Sequence, residues 1–323
     1  MQFCHIAPTE YIPLVAHHPR HLLLAHLVES DEAYVQQYLK IKEQNPNAVY
    51  IMDNSCFELH KQGRPMFDSD KLADLGKKCK ADYIVLSDYP EERWTKTYFK
   101  GLDMADEIHE AGFKTFYVPQ SCLGDLEGYM DGLKHAIDNV EKFDLIGLSI
   151  IGCPTALNLK ENKYGEQISG SHRMQRYLSR FRIFEEMEDR GWFDDYELMQ
   201  KLHHRFHCLG MVEGPKEIRL LERWGFAIAS WDSSSAVWHG LNGIRYDQSP
   251  TGLINGKLES EVDFGYKWAD VKPTTVNDIM YNVGVIDKLT ERYGCDEGSC
   301  GSCGSANGAA ATAQPVEQPI MWM

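Results

Sequence analysis

Residues 203–240, HHRFHCLGMVEGPKEIRLLERWGFAIASWDSSSAVWHG, decide the fold. They read as an apolar run closed by a glycine turn, then a helix, then a second apolar run, FAIASWDSSS, which delivers Asp232 into a serine-rich loop. Strand, helix and strand, with an acid at the carboxyl end of the second strand, is the pattern of a parallel α/β barrel, whose active site is built from the loops after the strands. The competing reading is an aspartate that caps the next turn through its serines. The stretch alone leaves both open.

Upstream the same pattern repeats. Met1–Ala7 and His21–Val28 read as strands, and a helix over Asp31–Gln44 follows. AVYIMDNSCFE is a buried strand ending at Asp53, and Ser69–Lys80 is helical. ADYIVLSDYP is a strand ending at Asp88, Trp94–Ala111 a helix, and KTFYVPQS a strand ending at Gln120. Asp125–Glu141 is helical and FDLIGLSIIG is a strand; an excursion over 153–170 then leads into an Arg-rich helix ending near Arg190. With Arg205–Val212 and Phe226–Ser233 this makes eight strands, mostly separated by helices. Their apolar runs are continuous rather than alternating, as strands covered on both faces require. A (β/α)8 TIM barrel of class α/β is therefore expected. The doubly wound sheet is set aside because no G-x-G-x-x-G follows the early strands.

The barrel is assigned to 1–243. A C-terminal addition over 244–304, packed on the barrel, holds a Gly- and Asn-rich hairpin, a helix over Thr274–Arg292 and a cysteine cluster, and 305–323 is a low-complexity, disordered tail. There is no internal repeat beyond the strand–helix alternation.

A chain of 323 residues with 43% hydrophobic content can bury a large core. No apolar run approaches the roughly 20 residues of a membrane span, and the start MQFCHIAPTEY lacks the features of a signal peptide. A cytoplasmic protein with no membrane partner is expected. The nine cysteines then read as reduced thiols, and the grouping of Cys295, Cys300 and Cys303 suits a structural Zn²⁺ site, with a fourth ligand from upstream such as His239. A net charge of −15 excludes coating of nucleic acid by bulk electrostatics. One basic stretch stands out: in HRMQRYLSRFR, Arg173, Arg176, Arg180 and Arg182 recur at roughly helical spacing with no acid among them. This is either a solvated helix face or a phosphate contact.

Asp53, Asp88 and Asp232 each close an apolar strand, with Gln120 and Gly147 at equivalent positions. Any one of the acids could be a helix cap; all three at strand ends point to chemistry. In order and spacing, residues 49–243 resemble the tRNA-guanine transglycosylase superfamily, and within it the phage-type 7-deazaguanine DNA transglycosylases. DNSCFE resembles that family's DSGGFQ, VLSDYP its FDECTP, VPQS its QGG or QGS turn, IGLSIIG its GGLAVGE, and HCLGMVEG…FAIASWDSSSA its YLMGVG, helix and FDCVLPTR. The resemblance implies Asp232 as nucleophile and Asp53 as acid/base. It implies Asp88 as reader of the guanine edge, Phe57 as stacking surface, Gln120 as a further base contact, and Gly147 with Leu148 as backbone contacts to the base.

The implied activity is exchange of guanine in DNA for a 7-deazaguanine by double displacement through a covalent Asp–nucleotide, with no organic cofactor. A carboxylate nucleophile and a second carboxyl that moves protons are what such a retaining displacement needs. The partners would be DNA and a free 7-deazaguanine base. The same exchange on tRNA, a noncatalytic nucleic-acid-binding relative and an unrelated barrel hydrolase are the alternatives.

The departures are specific. Ser55 and Cys56 stand where the family has a glycine pair and would intrude on the base pocket, and Glu58 replaces a Gln. SSSA replaces VLPTR, removing an arginine near the tRNA backbone, and the cysteines run x4 then x2 with no following histidine. His21, His26, His203, His204 and His207 read as core or surface residues. Cys56 lacks the His/Asn partner of a cysteine nucleophile.

Overall fold

Eight short strands alternate with helices in the computed structural model, which describes residues 1–159, 170–211, 213–246, 262–268 and 273–293. The strands are β1 (Gln2–His5), β2 (Arg20–Leu24), β3 (Val49–Asp53), β4 (Tyr83–Val85), β5 (Lys114–Tyr117), β6 (Leu145–Ser149), β7 (Phe206–Leu209) and β8 (Ile228–Ser233). All paired neighbours are parallel, in the order β1-β8-β7-β6-β5-β4-β3-β2. β1 and β2, at the two ends of that order, pack side by side. Arg20 bridges them, its Nε donating to Gln2 Oε1 at 2.9 Å. The sheet is thus a nearly closed (β/α)8 barrel, as expected.

Strand parity places the side chains. Successive residues of a strand face opposite sides, and the interior holds Cys4, Leu22, Ile51, Val85, Phe116 and Leu145. Phe3, Leu23, Met52, Ile84, Ile146, Phe206 and Trp231 belong instead to the larger core between barrel and helices. Counting in twos from the interior residues puts Asp53, Gly147, Ser149, His207 and Asp232 inside. The same count puts His5 and Leu148 outside.

The surrounding helices are α1 (Ala25–Ser30), α2 (Glu32–Gln44), α3 (Cys56–Lys61), α4 (Ser69–Cys79), α5 (Trp94–Glu110), α6 (Leu126–Asp138), α7 (Gly152–Ala156), α8 (Gly170–Tyr177), α9 (Ser179–Asp189), α10 (Tyr196–Leu202), α11 (Glu217–Leu220), α12 (Ser235–Leu241) and α13 (Pro273–Tyr293). Asp31, Asp68, Asp125 and Asp195 cap α2, α4, α6 and α10, each accepting from the backbone N–H three residues on. The strand-end acids do not serve this way. α13 packs on α12, α11 and β1. It crosses α12 at Gly240, where a Cβ would lie 2.6 Å from the Ile279 backbone.

Several local readings are corrected. The strand expected over His21–Val28 stops at Leu24, and His26 lies in α1. The Arg-rich helix is two, broken at Leu178. Between β7 and β8 only the short α11 and a 3-10 segment, Glu222–Ala227, replace the expected helix. Cys295, Cys300, Cys303, most of the expected hairpin and the tail lie outside the described residues. His239, suggested as a fourth metal ligand, is buried with Nδ1 3.4 Å from Tyr246 Oη. Among the described residues no helix is long and apolar enough to cross a membrane.

Candidate active site

A cavity of about 850 Å³ opens at the carboxyl ends of the strands, with Asp53, Phe57, Asp88, Gln120, Ser149 and Gly210 in its wall. Asp53 is the last residue of β3, and its position beside Asp88 and Asp232 follows from barrel closure rather than sequence distance. Each of the three carboxylates has a different environment.

Asp88 is buried and held by two side-chain amides. Asn54 Nδ2 donates to its Oδ1 at 2.8 Å and Gln120 Nε2 to its Oδ2 at 2.6 Å. Burial pushes its carboxyl above the ordinary range, and the two amides oppose this. Because Gln120 must present Nε2 to a carboxylate, its Oε1 faces the other way; that atom is buried without a hydrogen-bond partner. An unpaired acceptor costs free energy unless a ligand supplies a donor.

Asp53 Oδ2 accepts from Ser55 N at 2.8 Å. Desolvation, then the negative charges of Glu58, Asp88 and Asp232, raise its carboxyl well above the ordinary range. Ser55 turns through the left-handed region (φ 58°) that a glycine would favour. Its Oγ lies 2.9 Å from His26 Nδ1 and is not in the cavity wall. The expected intrusion of Ser55 is therefore corrected, whereas Cys56 does line the cavity. Burial and three nearby carboxylates push the Cys56 thiol up, which is the reverse of activation.

Asp232, 5% exposed, sits one hydrogen bond behind the cavity wall: Gly210 N donates to its Oδ1 at 3.1 Å. The same Oδ1 lies 3.0 Å from His207 Nε2, and His207 Nδ1 lies 2.7 Å from Ser230 Oγ. Arg20 Nη1 donates to that Oγ at 3.1 Å. One proton arrangement satisfies the whole chain. Arg20 donates to Ser230, Ser230 O–H to His207 Nδ1, and His207 Nε2–H to Asp232. This requires a neutral imidazole, and burial lowers the His207 pKa, against the pull of Asp232. Among the described residues no hydrogen bond reaches Asp232 Oδ2.

His207, read from the sequence as a core or surface histidine, is fully buried; inward parity on β7 and register opposite Ser230 place it against Asp232, a contact the sequence reading did not anticipate.

The remaining assignments divide. Phe57, 45% exposed, stands at the cavity with Lys61 Nζ over its ring, 4.2 Å from the centroid. Gly147 and Leu148 are not in the cavity wall, and this corrects their assignment. A Cβ on Gly147 would meet Leu209 and Phe116 at 2.7 Å inside the barrel. Leu148 points outward, and its carbonyl accepts from Arg180 Nη1 at 3.0 Å. Ser149, Ile150 and Ile151 line the cavity in their place. Of the four arginines, Arg176 lines the cavity, Arg173 Nε binds Glu213 at 3.0 Å, and Arg182 is exposed. Arg180 is 1% exposed, so it cannot reach a polynucleotide.

The raised Asp53 carboxyl has a thermodynamic signature. A group whose folded pKa exceeds its unfolded value of about 3.9 loses stability for the fold as pH rises through that window. Asp53→Asn is expected to raise the melting temperature by a few degrees near neutral pH and to leave it unchanged near pH 3. Thermal unfolding at the two pH values measures this, and equal shifts at both would show that the fold does not raise the Asp53 pKa.

No protein-family model matches the chain, and no curated protein matches it. Solved structures similar in fold include active domain 2 of a chitinase from Pyrococcus furiosus, at 10% identity over 91% of this chain and 96% of that one, TM-score 0.44. A D-psicose 3-epimerase from Clostridium cellulolyticum matches at 10% identity over 91% of this chain and 96% of its own, TM-score 0.42. A chitinase from Pseudoalteromonas aurantia matches at 9% identity over 72% and 93%, TM-score 0.39. The likeness is one of fold and assigns no activity.

Proposed function

We propose that the chain is an enzyme, a transglycosylase that exchanges guanine in DNA for a 7-deazaguanine by double displacement. The observation that carries this reading is the grouping of three carboxylates in three different environments, Asp53 and Asp88 in the cavity wall and Asp232 one hydrogen bond behind it, which suits three different tasks. Asp232, with Oδ1 held by two N–H donors, attacks the anomeric carbon. The bond from that carbon to guanine N9 breaks, and the departing base takes a proton from Asp53. An incoming base returns a proton to Asp53 as its own nitrogen displaces Asp232, so two inversions give retention.

Asp88 and the unpartnered Gln120 Oε1 supply acceptors for the N1–H and exocyclic amino group of guanine, a pattern that adenine cannot match. Phe57 offers a face for the flipped base, and Arg176 a cation at the cavity for backbone phosphate. The segment SSSA after Asp232, at the junction of β8 and α12, favours DNA over tRNA, because it lacks the arginine of the tRNA enzymes.

Incubation with radiolabelled guanine and either DNA or tRNA tests the reading. Label is expected in DNA. Label in tRNA alone would transfer the activity to the runner-up substrate, guanine release without incorporation would mark a hydrolase, and no exchange on either polymer would leave a binding protein.

A further inference from the structure

On the opposite side of the β1 wall from the cavity, three metal-ligating side chains meet. His5, whose outward parity was noted above, is 1% exposed, and His18, before β2, is 8% exposed. Their Nε2 atoms each lie 3.1 Å from Oδ1 of Asp287 on α13. All three ligand atoms fall within 4.8 Å of one another. In a tetrahedral site with bonds of roughly 2.0–2.1 Å, ligand atoms sit roughly 3.3 Å apart. The two imidazole–carboxylate distances of 3.1 Å are close to that.

The tautomer of His18 is the second observation. His18 Nδ1 lies 2.9 Å from the Val15 carbonyl, which can only accept, so Nδ1 carries a hydrogen. Nε2 is then the ring atom turned to Asp287, 3.1 Å from its Oδ1, where either a proton or a metal ion bridges the two. A ring N–H fixed on a backbone carbonyl, with the opposite nitrogen free, is the usual support of a metal-binding histidine. His5 brings a second imidazole to the same oxygen, and its Nδ1 is buried without a partner, so only this cluster engages the polar edge of the ring. The side chain of Asp287 is 29% exposed, which gives an ion a route in.

We propose that His5, His18 and Asp287 form a divalent-metal site that takes Zn²⁺ and pins α13 to the start of the barrel. Two imidazoles and one carboxylate are a borderline donor set, suited to zinc or cobalt rather than to magnesium or calcium. The site joins residues 5 and 18 to residue 287, at the seam where β1 and β2 end the strand order. Its role is structural, and it stands independently of the function proposed for the cavity.

The test uses the full chain with Cys295, Cys300 and Cys303 changed to Ser, so that the tail thiols cannot bind the ion. After chelator treatment, CoCl2 is expected to bind at one equivalent per chain, with a visible d–d absorption and no thiolate charge-transfer band. ZnCl2 should raise the melting temperature by several degrees. Both effects should vanish in His18→Ala and Asp287→Asn. Absence of stoichiometric uptake by the parent, or uptake undiminished in the two variants, overturns the site and leaves an imidazolium–carboxylate cluster. Should a variant fail to fold, nitrogen-15 spectra of the parent's histidines decide: zinc must shift two Nε2 resonances, and unshifted spectra overturn the proposal.

Discussion

Asp232→Asn is expected to eliminate base exchange and the covalent DNA–enzyme adduct while leaving the barrel folded. The loss should be on the order of 10⁴-fold, the scale reached when one member of a nucleophilic unit is removed. The substitution is nearly isosteric. Its carbonyl can still accept from Gly210 N and His207 Nε2, which now hold Oδ1 at 3.1 and 3.0 Å, but an amide cannot displace guanine and leave again. The adduct is read by denaturing electrophoresis of enzyme incubated with a labelled oligonucleotide, and turnover by guanine incorporation. Adduct formation at the parental rate would remove Asp232 from its role.

The turn-capping reading of Asp232 could be settled only by partners lying far away in sequence. Continuous apolar runs made the eight strands legible, because a strand covered on both faces has no polar side to betray its period. The acids at their ends were legible for the same reason: a charge that closes an apolar run is conspicuous. Side-chain direction was harder. The stretch HHRFH offers three histidines without telling them apart, and only the strand limits, Phe206–Leu209, show that the third faces inward while His203 and His204 precede the strand. Leu148 failed in the opposite sense. Motif letters put it beside the base, and parity turns it out of the barrel. Ser55 shows a third failure, since composition cannot reveal that a serine adopts a glycine-like backbone and turns away from the cavity. Asp287, 282 residues from His5, lies beyond the reach of any spacing argument.

The Arg-rich stretch was the plainest misreading, and it carries the largest expected effect on stability. Helical spacing of charges reports amphipathicity only if the acids that neutralise them are nearby, and the partner of Arg180 lies 37 residues on. Glu217 takes Arg180 Nε at 2.6 Å and Nη2 at 2.8 Å. The remaining donors go to the carbonyls of Leu148, Leu209 and Gly210, at 3.0, 2.9 and 2.6 Å. The guanidinium also lies 5.2 Å from the centroid of the Trp231 ring. One buried side chain thus satisfies the ends of β6 and β7 and ties them to α11, with a planar fork that lysine cannot reproduce. Arg180→Met should therefore destabilise the fold by about 3–5 kcal/mol, because it strands Glu217 as an uncompensated buried charge. Arg180→Met with Glu217→Leu should recover much of the loss, since removing both charges also removes the desolvation cost. The exposed Arg182→Glu should stay within about 0.5 kcal/mol of the parent. Urea unfolding of the three variants measures all of this. A mild Arg180→Met, or a double variant no more stable than the single, would show that the pair is not what holds the strand ends. The same side chain reaches the chemistry: Gly210 accepts from Arg180 through its carbonyl and donates to Asp232 through its N–H, so a folded Arg180 variant should also lose exchange activity through the misplaced carboxylate. The basic stretch thus supports Asp232 from beneath through Arg180, with Arg176 alone of the four at the cavity wall.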